Sequence, residues 1–196
     1  SIVTHPKHQH IDRLSEAHQL LTGELCRLLQ GLSGLIQTHK LGVGRCRYGL
    51  LCGDDGFIRD DGVIGRMGQD RFHLTTTTGG AARVLNMMED YLQTEWPDLD
   101  VWLTSTTEQW ATVALNGPNA AKLLAPLVEG VELTEEAFPH MSCVECTVAG
   151  IPARLFRVSF TGEIGFEVNV PAPMGRKLWE TLWEAGQQYG ITAYGT

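Results

Sequence analysis

No run of about 18 apolar residues occurs anywhere in this sequence, which leaves nothing to form a membrane-spanning helix. The opening Ser1-Ile2-Val3-Thr4-His5-Pro6-Lys7 lacks the basic-then-apolar layout of a secretion signal, so a cytoplasmic location is expected. Positive charge is also scarce. Fifteen Lys and Arg stand against 23 Asp and Glu, giving a net charge of −8, the wrong balance for neutralising nucleic-acid phosphates. The five cysteines are an odd number, which argues against a disulfide framework. There is no internal repeat, no Gly-x-Ser-x-Gly elbow and no phosphate-binding P-loop. Gly42-Val43-Gly44 precedes a strand instead of linking a strand to a helix, so turn glycines explain it better than a dinucleotide site.

What remains is a chain of 196 residues, 43% hydrophobic and 19% charged, able to bury a core. Apolar residues at three- and four-residue spacing from Ile11 to Leu32 predict an amphipathic helix. A meander of strands follows at 45–52, 57–66 and 71–78, punctuated by Asp54-Asp55-Gly56 and Gly68-Gln69-Asp70. Helices are predicted at 81–95, 120–128 and 174–189, and strands at 101–104, 111–115, 143–148, 154–159 and 163–170. The class is α+β, with mainly antiparallel sheets and packed helices.

Cys143 and Cys146, with His140 nearby, resemble a metal or redox pair. No second ligand pair follows, and strand alternation sends the two thiols to opposite faces, so they read as structural. His5, His8 and His10 are expected on a mobile terminus.

Two stretches carry more chemistry. Alternation along 57–66 turns Asp60 and Asp61 to opposite faces, so one carboxylate can point inward, where it needs a cationic or N–H-rich partner. In Arg157-Val158-Ser159-Phe160-Thr161-Gly162-Glu163, Phe160 offers a flat apolar surface and Glu163 two acceptor oxygens. That pair suits a heteroaromatic ring with N–H donors, although an ordinary hairpin would read the same way.

Gly56-Phe57-Ile58-Arg59-Asp60-Asp61, Gly117-Pro118-Asn119-Ala120 and Phe160-Thr161-Gly162-Glu163 occur in the order found in the aminomethyltransferase family, whose archetype is the glycine-cleavage T-protein. The resemblance covers residues 42–196 and leaves 1–41 as a helical segment of open placement. The spellings Val43-Gly44-Arg45-Cys46-Arg47-Tyr48-Gly49, Thr75-Thr76-Thr77-Thr78-Gly79 and Leu92-Gln93-Thr94-Glu95-Trp96-Pro97, with the Arg157–Glu163 stretch, are similar to the sarcosine oxidase alpha-subunit branch.

The resemblance implies a T-protein-like folate-binding fold, incomplete at its C-terminal end, and capture on tetrahydrofolate of the one-carbon unit released by N-methyl amine oxidation. It gives Asp61 the inward, folate-facing catalytic position and leaves Asp60 to solvent or a local turn. Glu163 grips the pterin. Phe160 stands where T-proteins carry Tyr, and Thr77 where they carry Asn. Tyr48 and Thr75 match further positions lining the folate site. FAD, FMN and NAD are expected only in other parts of a larger complex, with the other sarcosine oxidase subunits as partners. An Arg that binds the folate tail is expected in a segment following Thr196, so this chain alone is expected to bind folate weakly or not at all. The dinucleotide-binding part of the much longer alpha subunit is not in this chain, which alone is therefore not expected to oxidise sarcosine. An aminomethyltransferase, a dimethylglycine dehydrogenase-type domain and a non-catalytic interaction module of the same fold are the alternatives.

Overall fold

The computed structural model describes residues 2–6, 40–53 and 55–195. The helix expected at 11–32, and with it Cys26, His8 and His10, lies outside the described residues, as does Asp54 of the expected turn. The chain divides into two compact units, Ser1–Thr107 and Glu108–Thr196. Each is an antiparallel five-stranded sheet with helices, which is the expected class. None of the described helices is long and apolar enough to cross a membrane.

The first unit holds β1 (Ile2–Pro6), β2 (Cys46–Cys52), β3 (Ile58–Arg66), β4 (Phe72–Leu74) and β5 (Val101–Ser105), in the order β2-β3-β4-β1-β5. The N-terminal segment that sequence assigns to a mobile end is β1, and His5 lies within it. Its backbone pairs with β4 on one side and β5 on the other, a long-range pairing that local sequence does not announce. The helix α1 (Ala81–Thr94) buries Val84 and Met88 against Ile64, Phe72, Leu74 and Val101. Full burial of a side chain such as Met88 stabilises by about 1.5–3 kcal/mol. The β2–β3 hairpin closes through Gly56, whose φ of +79° is left-handed. Its register slips between Leu51 (opposite Asp60) and Cys52 (opposite Ile58), so Arg59 is the extra residue of a bulge just before the Asp pair.

One expected strand is shorter than sequence suggests. The run 71–78 is rich in β-branched Thr, yet β4 stops at Leu74. The Thr hydroxyls compete for the backbone: Thr75 Oγ1 accepts from Val63 N–H at 3.0 Å, and Thr77 Oγ1 donates to Asp60 at 3.0 Å.

The second unit holds β6 (Trp110–Asn116), β7 (Val128–Glu129), β8 (Ser142–Val148), β9 (Ile151–Arg157) and β10 (Gly165–Pro171), in the order β6-β10-β9-β8-β7. The helix expected at 120–128 is α2 (Ala120–Leu124), followed by a short 3-10 turn and β7. On one sheet face Phe166, Val168, Val170 and Leu155 form a core with Leu123 and Leu124 of α2 and Leu178 and Leu182 of α3 (Gly175–Gly186). Cys146 packs against this core, and burial pushes its thiol up to about 11. Cys143, three residues earlier, is buried on the opposite face. Among the described residues, Cys46, Cys52, Cys143 and Cys146 form no disulfide.

Candidate functional site

In the first unit, Tyr48 and Asp61 lie on one face of the β2–β3 ladder. Tyr48 sits opposite Val63 and Leu50 opposite Asp61, so the pair is a diagonal neighbour on the same side. The Tyr48 hydroxyl donates to Asp61 Oδ2 at 2.8 Å. That bond, with some burial and the carboxylate's charge, raises the Tyr48 phenol above its ordinary value. Asp61 is half-buried and Tyr48 is 54% exposed, so the pair meets solvent on this face. Among the described residues, Asp61 Oδ1 accepts no hydrogen bond.

Asp60 behaves differently from the expectation of solvent or a local turn. It is only 4% exposed and accepts four hydrogen bonds. Oδ1 receives the backbone N–H of Asp61 and that of Thr77, each at 2.9 Å. Oδ2 receives the Thr77 hydroxyl at 3.0 Å and Arg83 Nη2 at 3.3 Å. Burial pushes the Asp60 carboxyl up, but these donors together outweigh it and hold the group below the usual carboxylate value. The physical reason for the correction is the core face of β3. Alternation puts Asp60 there with Ile64, and a carboxylate so placed must be bonded.

Thr77, expected to line a ligand site, is exposed but commits both its hydroxyl and its N–H to Asp60. Thr75 commits its hydroxyl to the backbone of Val63. Sequence reasoning missed Arg83, Gly62 and Gly80. Arg83, in the first turn of α1, bonds Asp60 and also donates to Arg59 O at 2.8 Å. A Cβ on Gly80 would overlap Asp60 Oδ2, and one on Gly62 would overlap Thr75 O. The adjoining Gly79-Gly80 after a Thr run was the available signal, and it reads just as well as a simple strand breaker.

In the second unit, Phe160 and Glu163 lie in a bend before β10. The strand predicted from Glu163 begins instead at Gly165, because Gly162 takes a φ of +83° and turns the chain. Phe160 is 92% exposed, and Glu163 is exposed beside it. The bend is anchored by Gly117 N–H, which donates to Ile164 O at 2.8 Å. Gly165 approaches Asn116 so closely that a Cβ would clash with Asn116 Oδ1 and Val158 O, and Asn116 Nδ2 donates to Tyr194 Oη at 2.7 Å. The motif at 117–120 thus bonds to the chain just after the motif at 160–163.

Residues 23–196 match the family described as the GCVT N-terminal domain. The chain is 50% identical over 158 residues to the sarcosine oxidase subunit alpha of Corynebacterium sp. (strain P-1), covering 80% of this chain and 16% of that protein. It is 34% identical over 165 residues to the aminomethyltransferase of Symbiobacterium thermophilum, covering 80% of this chain and 41% of that protein. In fold it is similar to the glycine cleavage system aminomethyltransferase T of Bartonella henselae, with a TM-score of 0.71 at 23% identity, over 92% of this chain and 42% of that one. The chain therefore spans a minor part of the length of each relative.

Proposed function

From the fact that this chain belongs to the GCVT N-terminal domain family, we propose that it is the folate-binding part of a sarcosine oxidase alpha subunit, working with the other subunits of that complex. The one-carbon unit freed by N-methyl amine oxidation elsewhere in the complex is taken up on tetrahydrofolate to give 5,10-methylenetetrahydrofolate. The 50% identity to a sarcosine oxidase alpha subunit supports this branch over an aminomethyltransferase.

The side chains suit such a group. Tetrahydrofolate supplies, when bound, the nitrogen nucleophile that accepts the one-carbon unit, and its ring is a flat heterocycle rich in N–H donors. Asp61 and Glu163 are acceptors, and Phe160 presents an exposed ring. The observation that carries the reading is the Tyr48–Asp61 pair. Tyr48 fixes Asp61 Oδ2 and leaves Oδ1 to receive an N–H donor. A carboxylate held this way stabilises positive charge as it develops on a nitrogen, without having to act as a base. In the second unit, the resemblance gives Glu163 the part of an acceptor for ring N–H donors and Phe160 that of a flat apolar surface.

The test compares Asp61→Ala with the parent in the whole protein that carries this chain. We expect amine oxidation to continue while the ratio of methylenetetrahydrofolate to free formaldehyde falls at least about tenfold, the loss of one charge-assisted contact. An unchanged ratio, or no calorimetric binding of tetrahydrofolate at high micromolar concentration, refutes the assignment.

A further inference from the structure

β4 accompanies β3 only at Ile64, Gly65 and Arg66, and then the chain leaves the sheet at Thr75. The edge of β3 so exposed still presents the backbone groups of Val63 and Asp61. Those of Val63 are met by Thr75, whose N–H donates to Val63 O at 2.9 Å and whose Oγ1 accepts from Val63 N–H. The Asp61 N–H is met instead by a side chain, the Asp60 carboxylate. The same Oδ1 takes the N–H of Thr77, so a side-chain oxygen stands where a neighbouring carbonyl would stand in a ladder. Gly62 and Gly80 are the positions where the 75–80 segment comes too close to β3 for a Cβ.

We propose that Asp60 is a positioning residue: its carboxylate splices the 75–80 segment onto β3 and thereby sets the backbone from which Asp61 meets Tyr48. This rests on the reading of Tyr48 and Asp61 as folate-facing, but the splice itself does not depend on folate. Asp60 is buried, and its bonds are to Asp61, Thr77 and Arg83. It acts through the amides of Asp61 and Thr77, and the ion pair with Arg83, whose side chain is 66% exposed, is secondary to them.

The test uses two unrelated perturbations of the whole protein that carries this chain. Asp60→Asn keeps the size but replaces one acceptor with a donor facing Arg83 and Thr77. Gly80→Ala leaves the carboxylate intact and pushes it away. Amide hydrogen exchange at Thr77 and Asp61, and the carbon-13 NMR titration of the Tyr48 phenol, are read without ligand. Tetrahydrofolate is then titrated calorimetrically.

Both variants are expected to speed exchange at Thr77 about tenfold or more, the loss of a hydrogen bond to a charged acceptor. The Tyr48 phenol is expected to fall toward the ordinary tyrosine value, and Kd for tetrahydrofolate to rise about tenfold with it. If Asp60→Asn does not fold, Gly80→Ala decides alone. The proposal is overturned if the Tyr48 titration stays as in the parent, or if exchange rises equally at all amides of the first unit, which is what loss of general stability produces. If Thr77 and Tyr48 respond while the parent itself takes up no tetrahydrofolate, the positioning role stands and the folate reading falls.

Discussion

Neighbouring carboxylates with the same side chain are expected to respond unequally to truncation. Asp60→Ala removes an acceptor that serves two backbone N–H groups, a hydroxyl and a guanidinium. A hydrogen bond to a charged group contributes about 1.5–3 kcal/mol. Thr77 and Arg83 reach water once released, so their share is smaller, whereas the half-buried Asp61 amide loses its acceptor inside the sheet. The sum is a destabilisation of about 3 kcal/mol, against roughly 1 kcal/mol or less for Asp61→Ala, which loses the single bond from Tyr48. Urea unfolding at fixed protein concentration measures both.

The pH dependence adds a second arm. The folded-state pKa of Asp60 is depressed, so its contribution is fully present above the unfolded carboxyl value and is lost as pH falls through the folded value. The gap between parent and Asp60→Ala must therefore shrink in acid, and only after ordinary carboxylates have protonated. A cost below about 1 kcal/mol at neutral pH, or a gap that does not change in acid, refutes the account of Asp60 as a bonded carboxylate.

Gly62→Ala is expected to destabilise the first unit by about 1–3 kcal/mol in urea unfolding, because the added methyl meets the Thr75 carbonyl. Phe160→Ala should change stability by no more than about 0.5 kcal/mol, since the ring is 92% exposed, while calorimetry should show weaker tetrahydrofolate binding. Burial raises the Glu167 carboxyl, so its charged form is disfavoured in the fold and stability declines as pH rises from the unfolded value to the folded one. Glu167→Gln should therefore shift the urea midpoint upward at neutral pH and leave it unmoved in acid.

Periodicity made most elements of both units legible, because each is amphipathic over its own length. The helix α1 shows this in the spacing of Val84 and Met88, and β10 in the alternation of Phe166, Val168 and Val170. What local pattern could not reveal was pairing at a distance. β1 is five residues long, and it becomes a strand because β4 and β5 each offer it an edge. The Thr run at 75–78 fails as a strand for the reverse reason, since its hydroxyls and amides have nearer partners on β3.

The Asp pair shows where sequence reasoning about a site reaches and where it stops. Alternation correctly separated Asp60 from Asp61, and the family spelling chose between them. It was then natural to give the unchosen residue to solvent, because a lone carboxylate on a core face is costly. The cost disappears once four donors converge, and they come from positions 61, 77 and 83, scattered across a strand, a loop and a helix. Their meeting depends on two glycines whose missing side chains leave the room. The inward carboxylate that sequence sought for a ligand is thus Asp60, already satisfied by the protein, and the carboxylate left with an unfilled oxygen is the half-buried Asp61. On a two-faced sheet, the residue better suited to receive an external donor is the one that the core does not claim.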